Sequence, residues 1–307
     1  MSENILVIKH GALGDFCMSI GMMQAIRHKH PDAKLTLLTS AGMVKIAEQT
    51  GFFSEILIDN RPRYNLKKWY YVCKRILADK SFDFIYDLQS SRRTFRKYYP
   101  IARFLTGNKM SWGRLAKGGL DFYITPQKKK WSFQKPEKTF IPLQRETSDL
   151  SFCHGEGKYF HELPPRYVLL IPGCSANHPY KRWPAESYRR LSEELGKQGI
   201  SSVVLGTNEE KEAVEIITKN NPYTVSFLNK SGLLDIPDLA RKSFVVVGND
   251  TGPVHMAALT GKPTIALFCA ITQKSASTQP NAVNIIETDI ADISVETVLK
   301  ALTPYLG

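Results

Sequence analysis

The sequence predicts an α/β protein made of two doubly wound units in tandem. Short apolar runs rich in β-branched residues alternate with amphipathic stretches between residues 5 and 88, and the alternation restarts at residue 167. Polar loops, several of them containing glycine, follow these apolar runs. Alternating β and α segments form a parallel sheet covered by helices, and 307 residues leave room for two domains of about 150 residues each.

The first half contains the elements of one such unit. Its apolar runs predict strands at residues 5–8, 35–38, 56–58 and 84–88. A helix is predicted after the first strand, stopped by Pro31, with one apolar face formed by Phe16, Ile20, Met23 and Ile26. Residues 66–79 predict a further helix, whereas 107–165 show no regular pattern. We therefore assign residues 1–160 to the N-terminal unit.

The second half repeats the arrangement, and we assign residues 161–307 to it. Strands are predicted at 167–171, 203–206, 225–227, 244–247 and 264–268. Helices are predicted at 184–197, 208–219, 235–242 and 253–260. Open α/β sheets bind ligands beyond the carboxyl ends of their strands, so we expect the two units to enclose a ligand cleft.

Composition limits the class of protein. The chain is 43% hydrophobic and 23% charged, as in ordinary soluble domains. Its apolar runs are far shorter than the ~18–20 residues of a membrane span, and the N-terminus has no signal-peptide pattern. The five cysteines form no Cys-x-x-Cys pair, so neither a zinc site nor a disulfide framework is indicated. A reducing cytoplasm is the expected location.

Positive charge is concentrated in the first half. The whole chain carries +12, while residues 61–138 contain 20 Lys and Arg and five acidic residues. Such asymmetry favours an anionic partner: nucleic acid, a phospholipid surface or a phosphorylated substrate. A solubilising surface without a specific partner is the alternative.

The most informative loop is residues 248–256, Gly-Asn-Asp-Thr-Gly-Pro-Val-His-Met. A strand is expected to stop at Gly248 and a helix to start near Pro253, because proline is favoured at the start of a helix. Free N–H groups and the helix dipole attract phosphate at such a junction. Asp250, Thr251 and His255 thus surround a predicted site for a phosphorylated ligand, although a lone helical histidine is more often structural.

Three further loops follow predicted strands. In residues 9–15, Gly11 and Gly14 permit a tight turn. Asp15 is either a base facing the cleft or a residue that caps the helix or complements its dipole. The glycine spacing does not match the dinucleotide-binding fingerprint. This argues against an NAD-dependent oxidoreductase.

The other two loops carry polar groups suited to a nucleotide. Ser175 and Lys181 can donate to a diphosphate, or they belong to a polar turn with a solvated lysine. In residues 205–210, Glu209 or Glu210 can accept hydrogen bonds from ribose hydroxyls, or a first-turn glutamate simply favours the helix dipole.

Taken together, these loops resemble the family 9 glycosyltransferases, the bacterial ADP-heptose:lipopolysaccharide heptosyltransferases. The resemblance rests on three ordered motifs: Leu13-Gly14-Asp15, Pro172-Gly173-x-Ser175 with Lys181-x-Trp183-Pro184, and Asn249-Asp250-Thr251-Gly252-Pro253-x-His255. It implies a GT-B architecture of two Rossmann-like domains facing each other across a cleft, with the acceptor in the N-terminal domain and the ADP-sugar in the C-terminal one. It also implies inverting heptose transfer from ADP-heptose, without a metal or other cofactor.

The resemblance also implies individual roles. Asp15 matches the acceptor-activating aspartate, Ser175 and Lys181 match diphosphate ligands, and Glu209 or Glu210 matches the ribose-binding glutamate. Asp250 would hold sugar hydroxyls, Thr251 and the Gly252 N–H would take the diphosphate, and His255 matches the family histidine. Gly11 and Gly14 would line the cleft. The chain departs from many members at Gly21, where they have proline, and residues 107–165 match nothing in the family pattern.

The expected function is therefore transfer of heptose to an anionic lipopolysaccharide inner-core acceptor, with Asp15 as general base. Inverting transfer needs one carboxylate to take the acceptor proton, and electrostatic stabilisation of the leaving diphosphate removes the need for a general acid. The basic segment 61–138 fits an anionic acceptor and peripheral contact with the cytoplasmic face of the inner membrane. Two alternatives stay open: another acceptor, such as a protein side chain or capsule sugar, and a non-catalytic nucleic-acid-binding protein that uses the basic segment.

Overall fold

The computed structural model describes residues 2–59, 82–91, 94, 98, 111–115, 122–125, 139–141, 143, 146–175, 177–276 and 279–307. The chain divides into two compact units, Met1–Ser148 and Asp149–Gly307. The helix predicted over 66–79 and most of the basic segment 61–138 lie outside the described residues. No helix in the described part of the chain is both long and apolar enough to cross a membrane.

The first unit is built on a mostly parallel sheet. Its strands are β1 (Asn4–Ile8), β2 (Lys34–Thr39), β3 (Glu55–Ile58), β4 (Phe84–Asp87), β5 (Ser111–Leu115), β6 (Phe122–Thr125) and β7 (Thr139–Ile141). Its described helices are α1 (Leu13–Cys17), α2 (Ile20–Lys29) and α3 (Val44–Gln49). The sheet order is β3-β2-β1-β4-β5-β6-β7. Strands β1 to β5 pair in parallel, which confirms the predicted topology, while β6 and β7 add an antiparallel edge within the unpatterned stretch 107–165.

The prediction of a single helix after β1 is wrong, because the structure has two helices there, α1 and α2. The Ser19 hydroxyl donates to the carbonyl oxygens of Asp15 at 2.7 Å and Phe16 at 2.9 Å. Such side-chain bonds compete with the backbone hydrogen bonds of a helix and favour a break in it. Helix α1 also begins at Leu13, with Ala12 as its N-cap, so Asp15 lies within the first turn and does not start the helix.

The second unit is a fully parallel α/β sheet. Its strands are β8 (Tyr167–Ile171), β9 (Ser201–Gly206), β10 (Thr224–Leu228), β11 (Val246–Asn249), β12 (Thr264–Cys269) and β13 (Ala282–Glu287). Its helices are α4 (Ala185–Lys197), α5 (Lys211–Thr218), α6 (Asp235–Lys242), α7 (Gly252–Ala258) and α8 (Val295–Leu302). The order β10-β9-β8-β11-β12-β13 is the doubly wound Rossmann order and confirms the predicted fold class.

Several boundaries in this unit differ from the prediction by one or two residues, and β13 and α8 were not predicted. Strand β11 is displaced towards the carboxyl end and includes Gly248 and Asn249, because Gly248 pairs with Ile171 of β8 and Asn249 with Leu267 of β12. Pairing on both sides here overrides the low strand propensity of these residues. The helix predicted at 208–219 begins with a 3₁₀ turn, Asn208–Glu210, before α5.

Gly21 accounts for one departure from the family pattern. A Cβ at this position would lie 1.9 Å from the Glu146 carbonyl oxygen. The Gly21 N–H donates to the Ser148 hydroxyl at 3.0 Å, and its carbonyl accepts from the Glu146 N–H at 3.3 Å. The chain at 146–148 therefore packs directly on the backbone of α2, which leaves no room for a side chain.

We expect Gly21→Ala to destabilise the protein by about 1–3 kcal/mol, since overpacking forces the backbone apart. Thermal unfolding measures this loss as a lower melting temperature. Gly42→Ala is the matched control, because a Cβ at exposed Gly42 meets nothing within 4 Å. Equal melting temperatures for the two variants would contradict the close contact at Gly21.

Candidate functional site

The predicted site residues follow strands at the topological switch point of each sheet. In the first unit β1 pairs with both β2 and β4, and in the second β8 pairs with both β9 and β11. Connections leave such a point in opposite directions, so a crevice forms beyond the carboxyl ends of the two central strands. Loop 9–15 follows β1, while loops 172–184 and 250–252 follow β8 and β11.

Three predicted donor-site residues meet in the second unit. The Lys181 ammonium lies 2.6 Å from Asp250 Oδ2, and His255 Nε2 lies 3.3 Å from Asp250 Oδ1. The Asp250 side chain is only 4% exposed. A buried carboxylate is costly unless it is paired, so Asp250 needs Lys181. The sequence placed Lys181 in one loop and Asp250 and His255 in another, and the fold makes them one charged cluster.

This pairing favours the charged form of Lys181. Burial by itself lowers the pKa of the lysine, but the hydrogen bond and the charge of Asp250 outweigh burial and raise it above its ordinary value. Lys181 is therefore a fixed cation at neutral pH. A fixed cation at the carboxyl end of β8 can neutralise an oxyanion.

Thr251 and His255 contribute polar atoms beside this cluster. Among the described residues, the buried Thr251 Oγ1 and His255 Nδ1 have no hydrogen-bond partner. Buried polar atoms are normally satisfied, and exceptions call for a functional explanation. Thr251 is the N-cap of α7, and Gly252 is the first helical residue. Both groups can thus serve a bound ligand.

Ser175 lies on the loop after β8 but does not join the charged cluster directly. It is exposed, and its carbonyl accepts from the His178 N–H at 2.9 Å. The neighbouring Cys174 carbonyl accepts from Arg182 Nη2 at 2.9 Å, which fixes the loop between them. Burial raises the pKa of the Cys174 thiol, so this cysteine is an inert packing residue.

The two adjacent glutamates have different surroundings. Glu209 is exposed, whereas Glu210 is half-buried. Glu210 Oε2 accepts from the N–H and the hydroxyl of Thr207 at 2.9 and 2.6 Å. A Cβ placed on Gly173 would lie 3.2 Å from Glu210 Oε1. Glu210 therefore lies against the loop that carries Ser175, and Glu209 points to solvent.

Asn249 organises this site, although the sequence reasoning gave it no role. Its side chain is fully buried, and Oδ1 accepts from the Trp183 N–H at 3.1 Å and the Tyr188 hydroxyl at 3.0 Å. Its Nδ2 donates to the Pro172 carbonyl at 2.7 Å and to the Gly173 carbonyl at 3.4 Å. A buried asparagine immediately before an aspartate loop was the available signal, since buried amides are usually hydrogen-bonded.

Asp15 lies in the first unit, on α1. It is exposed, and its carboxylate has no hydrogen-bond or ion-pair partner among the described residues. Capping by Asp15 is not supported, because no side chain caps α1, but the place of Asp15 in the first turn fits the alternative that it complements the helix dipole. Gly11 has φ +113°, a left-handed conformation that glycine adopts freely, and Gly14 lies in the first turn of α1. Asp15 is thus a free carboxylate at the carboxyl end of β1.

In the described ranges, no group of three His, Cys, Asp or Glu side chains is placed to hold a metal ion.

The chain matches a family model over residues 115–296, that of glycosyltransferase family 9 (heptosyltransferase). Among curated proteins, it is similar to lipooligosaccharide heptosyltransferase 2 of Haemophilus influenzae, 34% identical over 139 residues. These cover 44% of this chain and 39% of that relative. It is also 28% identical to lipopolysaccharide heptosyltransferase 2 of Escherichia coli, over 86% of this chain and 82% of that protein.

Solved structures share the fold. A family 9 glycosyl transferase from Veillonella parvula superposes with a TM-score of 0.74 at 18% identity, covering 100% of this chain and 98% of its own. The E. coli ADP-heptose lipopolysaccharide heptosyltransferase II gives a TM-score of 0.68 at 18% identity, with the same coverage. At these identities the likeness concerns architecture, and it supports two Rossmann-like units of the GT-B type.

Proposed function

This chain belongs to glycosyltransferase family 9, the heptosyltransferase family, and we propose that it transfers heptose from ADP-heptose to an anionic lipopolysaccharide inner-core acceptor. Its E. coli relatives are a lipopolysaccharide heptosyltransferase and an ADP-heptose lipopolysaccharide heptosyltransferase, so their names state this donor and a lipopolysaccharide acceptor. The observation that carries the proposal is the cluster of Lys181, Asp250 and His255 at the carboxyl ends of β8 and β11.

The second unit is proposed to bind ADP-heptose. Lys181 would neutralise the diphosphate, and the Thr251 hydroxyl and Gly252 N–H would donate to its oxygens. Ser175 would donate from the loop after β8. Asp250 would accept from sugar hydroxyls with its second oxygen, and His255, bonded to that oxygen, would orient it. A cationic, partly buried site stabilises negative charge more strongly than water does.

Asp15 is proposed as the general base. In one displacement, the acceptor hydroxyl oxygen attacks C1 of the heptose while Asp15 takes its proton. The bond between C1 and the β-phosphate oxygen breaks, its electron pair stays with ADP, and the configuration at C1 inverts. The leaving diphosphate is stabilised by Lys181 and the donors of loop 250–252, so this mechanism assigns no step to a metal. In this proposal the first unit supplies the base, and the second unit supplies the donor site.

Glu210, rather than Glu209, is proposed as the ribose ligand, because only Glu210 lies against the donor loop at Gly173. We expect Glu210→Ala to raise the Kd for ADP about 10–100-fold, the value of a charge-assisted hydrogen bond of about 1.5–3 kcal/mol. Glu209→Ala, one residue away and exposed, is the control and should change the Kd less than twofold. Isothermal titration calorimetry with ADP measures both; a larger loss in Glu209→Ala would reverse the assignment.

A donor and acceptor panel tests the function as a whole. Purified protein is incubated with ADP-heptose and a heptose-deficient inner-core acceptor, and ADP release and product mass are measured. We expect turnover with that pair, and thermal stabilisation by ADP over UDP and GDP. Turnover with a protein or capsule acceptor instead would support ADP-heptose as the donor but contradict the lipopolysaccharide acceptor. Salt-sensitive oligonucleotide binding without any ADP release would favour the nucleic-acid alternative.

Contact with the cytoplasmic face of the inner membrane is part of the proposal. It rests on the 20 Lys and Arg in residues 61–138, since clustered basic residues are attracted to anionic lipid. Co-sedimentation with vesicles containing anionic lipid, at low and high salt, measures that contact.

A further inference from the structure

In both units, a side-chain amide at or just beyond the end of one strand hydrogen-bonds the loop that follows the neighbouring central strand. The central strand is β1 in the first unit and β8 in the second. In the first unit this side chain is Gln89, two residues after β4. In the second it is Asn249, the last residue of β11. Both residues lie just beyond the residue that pairs with the end of the central strand: Gln89 is two positions after Asp87, and Asn249 is one position after Gly248. The loops that they bond carry the proposed base and the proposed donor ligands.

Gln89 binds the backbone of loop 9–15 at consecutive residues. Its Oε1 accepts from the His10 N–H at 3.0 Å, and its Nε2 donates to the Gly11 carbonyl at 3.3 Å. Its own N–H donates to the Ile8 carbonyl at 3.0 Å. From the other side of β1, the Ser40 hydroxyl donates to the His10 carbonyl. The loop is therefore fixed from both neighbouring strands, four residues before Asp15.

The side chain of His10 anchors the same loop in the interior. His10 and Asp59 are both buried, and His10 Nε2 lies 3.0 Å from Asp59 Oδ2. The Tyr98 hydroxyl donates to that same oxygen. Because this anchor acts on the residue that Gln89 bonds, the backbone at His10 is held through its N–H, its carbonyl and its side chain.

The chemistry of both positions requires a carboxamide. A backbone N–H can only donate and a carbonyl can only accept, so the partners fix which end of each amide is oxygen. Gln89 must accept from His10 and donate to Gly11. Asn249 must accept from Trp183 and donate to Pro172. An ionised carboxylate cannot donate, and an aliphatic side chain of the same size can do neither.

We propose that Gln89 and Asn249 are positioning residues, Gln89 for Asp15 and Asn249 for the donor loop of residues 172–184. This inference rests on the proposed function, because it assumes that Asp15 acts in the chemical step and that the loop binds ADP. Loss of either carboxamide would free a loop, and a displacement of about 1 Å at a reacting group can cost about 100-fold in rate. The two losses should affect different kinetic constants.

The test compares Gln89→Met and Asn249→Ser in the 307-residue chain, with kcat, the KM for ADP-heptose and the Kd for ADP as readouts. Gln89→Met is expected to lower kcat about 10–100-fold and to leave the Kd within twofold. Asn249→Ser is expected to raise both the Kd and the KM about tenfold or more. Gln198→Met is the control, because among the described residues the exposed Gln198 carboxamide bonds only the Glu194 carbonyl, four residues earlier.

Gln89→Glu adds a readout that a merely structural role would not produce. The ionised carboxylate repels the Gly11 carbonyl, whereas the protonated carboxyl group can donate to it. The kcat of this variant relative to the unchanged protein should therefore rise as pH falls. If Asn249→Ser does not fold, Tyr188→Phe replaces it: removal of one donor to Asn249 Oδ1 should raise the Kd for ADP a few-fold.

The results separate this inference from the proposed function. If Asp15→Ala keeps its kcat in the same assay, the base assignment is wrong. If Asp15→Ala is inactive while Gln89→Met turns over like the unchanged protein, only the positioning role of Gln89 is overturned. Parallel losses of kcat and ADP affinity in both variants, or an unchanged Kd in folded Asn249→Ser or in Tyr188→Phe, would also overturn it.

Discussion

Replacing Asp15 with Ala is expected to lower kcat about 10²–10⁴-fold while the affinity for ADP stays within twofold. The proposed reaction needs one group to take the proton from the acceptor hydroxyl, and Asp15 is the carboxylate assigned to that task. ADP is proposed to bind in the other unit, so its affinity should not depend on Asp15. Steady-state kinetics with ADP-heptose and acceptor, together with calorimetry for ADP, measure the two quantities.

The structure makes this experiment easy to interpret. Asp15 is exposed and has no side-chain partner among the described residues, so its loss should change stability by no more than about 0.5 kcal/mol. Asp32→Ala is the matched control, another exposed aspartate of the same unit. An Asp15→Ala enzyme with the kcat of the unchanged protein would show that another group takes the proton.

The second large effect is expected at Lys181. Lys181→Met should lower kcat about 10²–10³-fold, because it removes the cation that stabilises the departing diphosphate. It should also destabilise the protein by about 3–5 kcal/mol, since the buried Asp250 carboxylate then loses its cationic partner. Kinetics and thermal unfolding measure the two losses separately.

A double variant distinguishes catalysis from folding. Lys181→Met combined with Asp250→Asn removes the charge that Lys181 balanced, so the melting temperature should recover while kcat stays below that of Asp250→Asn alone. Lys230→Met is the control for loss of a more exposed pair in the same unit, where Lys230 Nζ lies 2.5 Å from Glu162, and it should have little effect. If the double variant regains kcat together with its stability, Lys181 has a structural role alone.

Much of the fold follows from local pattern. The buried strands β1, β2, β8 and β12 are apolar runs of a few residues, and their burial on both faces of a parallel sheet leaves few other choices of residue. The boundaries that this pattern missed have both local and distant causes. Helices α1 and α2 separate through Ser19, and β11 extends to Asn249 only because two neighbouring strands pair with it.

For the candidate site, the sequence by itself determined the chemical groups and their order along the chain, because motifs record residue type and spacing. Only the tertiary structure decided which of them work together. Asp250 meets Lys181 from 69 residues away, and Glu210 rather than Glu209 faces Gly173. Asn249 bonds Pro172 across 77 residues, and Gln89 bonds Gly11 across 78. Side-chain hydrogen bonds act over about 3 Å, so a partner exists only once the folded sheet has brought the two strand ends together.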